Sequence, residues 1–492
     1  MMCWKELQSD NWLYPTVILC MYGFFITLRP SEPFLTPYLT GPQKNLTIDQ
    51  VTNQVFPVWT YSYLALLFPV FLVTDYVRYK PIIVLQGLAY IASWLILLFA
   101  QGVPAMQLLE FFYGMVTATD IAYYAYIYSV VSSDRYQRVT GYCRSITLVG
   151  YTAGSVIGQL LVSLADVSYF YLNVISLSSV SLSWIISLLL PMPKRSMFFH
   201  KKQMKDINQE PQDTQLHEKN QQTSCPTTNT LSEGRLSDTE VENSKSYKGP
   251  ATFWKMLHQL VKDLKECYSA RQLLYWSCWW ALATAGYNQV LNYVQVLWDH
   301  IEPSQNTTVY NGGVEAVSTL LGAAASFSVG YVKINWDLSG ELAIGIFSAL
   351  NAAALLLMDF TRNIWVCYAG YLVFKSLYML LITIATFQIA MNLNMERYAL
   401  MFGVNTFVAL ALQTILTIIV VDSRGLGLDV VTQFLIYGCY FAVIAGIFLG
   451  RSLYVIISIR CKKTMLLSTE DRKNSKKQLD VETMAVYQSS KL

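Results

Sequence analysis

Charged side chains are scarce in this sequence: Asp, Glu, Lys and Arg together make up 14% of 492 residues, against about 25% in a soluble domain. So few charges cannot coat a water-soluble globule of this size. The 54% of hydrophobic residues must therefore face something other than water. Histidine is scarcer still. His200, His217, His258 and His300 are all there is, and they fall in loops or at the edges of apolar runs, which argues against an intramembrane haem or a histidine-based acyl-transfer centre. No G-x-x-x-x-G-K-[ST] run occurs, which excludes a nucleotide-driven pump of that kind. No enzyme, cofactor, metal or nucleic-acid partner is expected. None of the nine cysteines falls in a loop that the topology below puts outside the cell, so no extracellular disulfide framework is indicated.

What the sequence does have is long apolar runs. Twelve stretches, near 11–31, 55–75, 81–101, 106–131, 139–163, 168–190, 272–297, 311–333, 340–358, 363–390, 399–421 and 430–457, can each span about 30 Å of hydrocarbon at 1.5 Å per residue. The chain reads as an all-α integral membrane protein. The first run is too long for a signal-peptide core and lacks a small-residue cleavage site, so it is expected to stay. Lys and Arg gather in alternate short loops: Arg78, Lys80, Arg135, Arg138, Lys333 and Arg397 on one side, against Lys44, Arg362 and Arg424 on the other. This bias puts both termini in the cytoplasm. The sequons at Asn45 (NLT) and Asn306 (NTT) then both fall outside, where they can be glycosylated.

Residues 196–250 are polar and almost free of aliphatic runs, so they are expected to form a disordered cytoplasmic linker. It divides the chain into a six-span half at 1–195 and another at 271–459. Between them, residues 251–270 place Phe253, Trp254, Leu257, Leu260, Val261 and Leu264 at helical spacing, as in an amphipathic helix that lies on the inner leaflet or packs on the inner ends of the spans. The tail, 460–492, is polar and expected to be disordered.

Carboxylates at membrane depth cost about 2.5 to 3.5 kcal/mol, so their retention points to a partner or a solute path. Glu110 lies about one turn inside the outer end of span 4, on a face with Tyr113, and Asp120 lies about 15 Å deeper. A carboxylate beside aromatic rings suits a flat cation. Arg29 and Glu32 stand among prolines at the outer end of span 1; Glu32 either pairs with Arg29 or stands in solvent. Phe56 and Trp59 open span 2, either as cavity walls or as interfacial belt residues. Glu315 opens span 8, and Asn288, Asn292 and Gln295 form a polar stripe on span 7. Asp120 is expected to pair with Arg144. Lys375, in the middle of span 10, either balances a cavity carboxylate, responds to proton movement or binds an anionic solute.

Six spans, a linker and six spans is the arrangement of the major facilitator superfamily. DYVRYKP, with Asp75, Arg78 and Lys80, resembles a degenerate form of that superfamily's acidic-then-basic gate loop. RPSEPFLTPYL, FPVWTYSYL, EFFYGMVTA, NQVLNYVQ and ERYALMFGVNTF resemble the folate and thiamine transporter family, solute carrier family 19, along essentially all twelve spans. The similarity lies nearer the thiamine-carrying members. It implies thiamine uptake at the plasma membrane by alternating access, through a monomer, with Glu110, Tyr113, Trp59, Phe56, Glu32, Asn292, Glu315 and Tyr151 contacting or supporting the cation. Asp120 stands where the resemblance leads one to expect Glu. A reduced-folate or organic-anion carrier, with Lys375 and Arg29 as ligands, is the alternative.

Overall fold

The computed structural model describes residues 12–131, 135–193, 258, 261–262, 264–304, 309–329, 336–391, 393 and 395–458. Every regular element among the described residues is helical, as hydrocarbon requires, because a helix satisfies its backbone polar groups internally. Six long helices form the first half: α1 (Leu13–Thr27), α2 (Phe56–Tyr76), α3 (Lys80–Phe99), α4 (Val103–Val130), α5 (Tyr136–Ala165) and α6 (Tyr169–Leu188). Six more form the second: α7 (Arg271–Ile301), α8 (Asn311–Val329), α9 (Trp336–Phe360), α10 (Ile364–Met391), α11 (Met395–Leu416) and α12 (Val430–Ser458). The expected linker, the tail, Lys333 and Asn306 lie outside the described residues.

Local chemistry sets the helix ends. Pro57, Pro81 and Pro104 occupy the first turns of α2, α3 and α4, where a missing N–H breaks no hydrogen bond. Asp166 ends α5 in the left-handed conformation, with φ 49°. Asp429 starts α12 by accepting from Thr432 N at 3.2 Å and Thr432 Oγ1 at 2.6 Å; the Thr432 side chain, followed by backbone N–H donors, holds its carboxyl below the usual Asp range. Span 1 departs from a continuous run. With Pro30, Pro33 and Pro37 close together, α1 stops at Thr27 and the chain continues as a 3-10 turn, Glu32–Phe34, and a short helix, Leu35–Thr40. Broken helices of this kind build substrate sites in transporters.

The packing repeats with an offset of six helices. In the first half α1 packs on α5, α4 on both α2 and α3, and α3 on α6; in the second α7 packs on α11 and α10 on both α8 and α9, while Gly345 of α9 meets Leu449 of α12. The contacts between halves obey the same rule, α2 with α11 and α8 with α5. The α1–α5 approach depends on glycine. A Cβ on Gly154 would come within 2.8 Å of Arg29 N, and one on Gly158 would collide with Pro30 O.

Hydrogen bonds between the halves, among the described residues, lie at mid-depth or toward the end that carries Asn45. Tyr61 OH donates to Asp422 Oδ2 at 2.5 Å, Thr40 Oγ1 to Asp299 Oδ2 at 3.3 Å, Gln295 Nε2 to Glu32 O at 3.1 Å, and Gln159 Nε2 to Val309 O at 2.8 Å. Tyr38, Leu97, Met106 and Leu109 join the apolar core of the second half at this same end. Toward the opposite end Asp120 and Arg144 are exposed. The structure is thus closed at the Asn45 end.

At the opposite end, Arg78 and Tyr79 take positive φ, 63° and 65°, and Lys80 Nζ donates to Leu188 O at 3.0 Å within its own half. The side chain of Asp75 lies outside the described residues. Before α7, Cys267 is buried and Tyr268 OH donates to Asn405 Oδ1 of α11 at 2.6 Å, so this part of the 251–270 stretch packs on α11.

Candidate functional site

Nine of the spans are both long and apolar enough to cross a membrane by length and composition, among the described residues; α4, α7 and α8 are not. These three supply Glu110, Asn292 and Glu315. Polar groups kept at membrane depth face protein or a water-filled cavity. All eight residues expected to contact or support the solute, Glu32, Phe56, Trp59, Glu110, Tyr113, Tyr151, Asn292 and Glu315, line one cavity of about 220 Å³ between the halves.

Two of its three carboxylates already have fixed cations. Arg29 Nη2 lies 3.0 Å from Glu32 Oε2, so Glu32 takes the paired alternative. Tyr113 OH donates to Glu32 Oε1 at 2.5 Å, and Arg29 Nη1 donates to Tyr90 OH at 2.6 Å beneath the rings of Tyr90 and Trp94. Lys375 Nζ lies 2.5 Å from Glu315 Oε2, which also accepts from Tyr151 OH at 3.1 Å, while Tyr371 OH donates to Oε1 at 2.6 Å. Of the three roles open to Lys375, the structure shows the first: it balances a carboxylate.

Glu110 is different. It is 4% exposed, it lines the cavity, and among the described residues no hydrogen bond or ion pair reaches its carboxylate. Only its backbone O is engaged, accepting from Ser62 Oγ at 3.4 Å. Arg29 with Glu32 and Lys375 with Glu315 cancel, which leaves the cavity with one uncompensated acid. The polar stripe of α7 is sorted in the same way. Asn288 Nδ2 is spent on Gln413 Oε1 at 3.2 Å, and Gln295 is spent on Glu32 O and Thr36 N. Asn292 Nδ2 meets no acceptor.

The expected Asp120–Arg144 pair is not made. Asp120 Oδ1 instead accepts from Gln86 Nε2, an amide fixed by Tyr22 OH at 2.6 Å on its other atom. Arg144 lies 5.9 Å over the Tyr124 ring. Gln86 on the adjacent α3 reaches the acid first, and its neutral amide satisfies that carboxylate oxygen. Sequence reasoning also missed α3 as a cavity wall, to which it contributes Ser93, Trp94 and Leu97. Ser93 and Trp94, three and four residues after Tyr90, carry the helical spacing that could have exposed it.

Among the described residues, twelve long helices in two related halves around a central, charge-bearing cavity define the major facilitator fold. Solved structures agree on the fold. A POT family transporter in complex with a thioalcohol-conjugated peptide superposes with a TM-score of 0.60 over 89% of this chain and 96% of that one at 10% identity. The nucleoside transporter NupG (D323A mutant) does so at 0.57, over 89% and 99%, with 11% identity. The profile of the reduced folate carrier family matches residues 10–436, and the chain belongs to that family. Thiamine transporter 2 of Homo sapiens is 61% identical over 94% of both chains, and thiamine transporter 1 of Homo sapiens 56% over 93% of both. The reduced folate transporter of Homo sapiens is 44% identical over 91% of this chain and 73% of its own.

Proposed function

We propose that this chain carries thiamine into the cell across the plasma membrane by alternating access, holding the cationic vitamin in the carboxylate and aromatic cavity. One observation carries the reading: Glu110 is a buried, cavity-lining acid with no counter-ion among the described residues. A bare carboxylate in such a place is costly, and a cationic passenger removes the cost. The Glu110 carboxylate accepts from the amino group of the aminopyrimidine, and the unused Asn292 Nδ2 donates to a ring nitrogen. Tyr113, Trp59, Phe56 and Tyr151 offer ring faces to the flat cation, worth about 0.5 to 2 kcal/mol each. Glu32 and Glu315, already paired, act by holding Tyr113 and Tyr151 in place.

The orientation follows from charge and sugar. Asn45 is exposed in a loop at φ 57°, accessible to glycosylation on the outer face, and both termini, the 196–250 linker and the 460–492 tail are cytoplasmic. The halves, 1–195 and 271–459, act within one monomer. The state described, closed at the Asn45 end, is the one that faces the cytoplasm. Asp75, Arg78 and Lys80 belong to the inner gate, which closes in the opposite state. A monovalent cation gains about 2.3 kcal/mol per 100 mV of inside-negative potential, which is roughly fifty-fold accumulation at 1.36 kcal/mol per decade.

The anion-carrier alternative relies on Arg29 and Lys375 as free ligands, and both are committed to ion pairs at 3.0 and 2.5 Å. The cavity therefore repels a folate. Competition in a cell uptake assay tests the choice. Unlabelled thiamine should suppress uptake of labelled thiamine at concentrations where reduced folate does nothing; saturable folate uptake without thiamine uptake would reverse the assignment.

A further inference from the structure

A second cavity, of about 190 Å³, opens at the Asn45 end among the C-terminal turn of α7 and the first turns of α8 and α10. Its lining repeats the chemistry of the central site in unrelated residues: Asp299 and Glu302 with the rings of Trp298, Tyr310, Trp365 and Tyr368. The rings form a corner. Tyr310 and Trp365 lie 5.3 Å apart, Trp365 stands edge-on to Tyr368 at 6.0 Å, and Trp298 stands edge-on to Tyr368 at 5.0 Å.

Two features show that this corner is not satisfied by the protein alone. Asp299 and Glu302 sit where the α7 dipole is negative, a position that favours cations and opposes acids. Neither is in an ion pair among the described residues: Asp299, 7% exposed, accepts only from Thr40 Oγ1 at 3.3 Å and Ser304 N at 3.0 Å. A flat ring carrying a positive charge answers both.

The position of the cavity adds a consequence. Thr40 belongs to the Leu35–Thr40 helix of the first half, and Gln295, one turn before Asp299, holds Glu32 O and Thr36 N of the same segment. The acid that would meet the cation is thus also a fastening of the closed end.

We propose that this cavity is a capture site for a flat organic monocation, loaded before the central cavity, and that the cation displaces Thr40 from Asp299 and so favours opening of the Asn45 end. This rests on the thiamine reading for the identity of the cation. The two are separable by experiment on the full chain reconstituted in liposomes, with labelled thiamine as the probe. Glu302→Gln and Trp365→Ala alter groups at the rim, and each should raise the KM for thiamine taken up from the Asn45 side about threefold to tenfold, the loss of one exposed charge or cation–π contact, with maximal rate within about twofold. Trp365→Phe, which keeps a ring face, should restore the KM. In a Glu110→Gln background, with the central site weakened about thirtyfold, the remaining binding of thiamine should fall further on adding Glu302→Gln and Trp365→Ala together. Wild-type transport with an unchanged KM in both rim variants, or binding in Glu110→Gln that the two rim substitutions leave unaltered, overturns the capture site alone. Absence of saturable thiamine transport by the wild type overturns the thiamine reading, and the capture site with it.

Discussion

Removing Lys375 is the sharpest way to ask whether the cavity's charges are organised as described. Its ammonium lies 2.5 Å from Glu315, and each residue is 5% exposed, so Lys375→Met strands a carboxylate at membrane depth. Truncating one member of a buried pair costs about 3 to 5 kcal/mol, whereas replacing both by neutral groups is often close to harmless. Glu315→Gln added to Lys375→Met should therefore recover most of the loss, a coupling of about 2 kcal/mol or more. The remaining amide oxygen can still accept from Tyr151 and Tyr371. Thermal-shift measurement on purified protein, with surface expression and uptake in parallel, reads the cycle: the single variant should melt several degrees lower, and the double variant should approach wild type and carry thiamine. A double variant that is stable but inactive would give the pair a part in transport beyond mutual neutralisation. A single variant with unchanged melting would show that the pair does not matter.

Two further outcomes follow from the packing. Gly158→Leu places a side chain where Pro30 O lies, so it should prevent the α1–α5 approach and deplete folded protein at the surface, measured by fluorescence-detected size exclusion. Tyr61→Phe removes the 2.5 Å bond to Asp422; a hydrogen bond to a charged group is worth about 1.5 to 3 kcal/mol, which shifts the balance between closed and open Asn45 ends by about tenfold to a hundredfold. An impermeant thiol reagent added from that side should then label Leu109→Cys faster, in a background cleared of reactive cysteines, and an unchanged labelling rate would remove Tyr61 from the closure.

Much of the architecture was legible in the sequence because hydrocarbon leaves the backbone so few options. Long apolar runs had to be helices, and the polar residues kept within them drew attention to α4, α7 and α8. What the sequence did not reveal was who pairs with whom. Lys375 and Glu315 are 60 residues apart, and nothing local to either indicates that one neutralises the other. Asp120 looked equally ready for Arg144 until packing put Gln86 nearer. α3 was passed over because it reads as a uniformly greasy span, in which Tyr90 and Trp94 look like ordinary membrane aromatics. The break in span 1 was visible in its prolines, but not that it would turn Arg29 toward Tyr90.

The central claim is that the passenger itself supplies the counter-ion of Glu110. Equilibrium binding of labelled thiamine to purified wild type and Glu110→Gln, matched for folding, tests it most directly. Removing one partner of a buried charged contact should cost about 2 kcal/mol or more, roughly thirtyfold in Kd. An unaltered Kd for the Gln variant would mean that the acid serves some other purpose, and that the vitamin is recognised elsewhere.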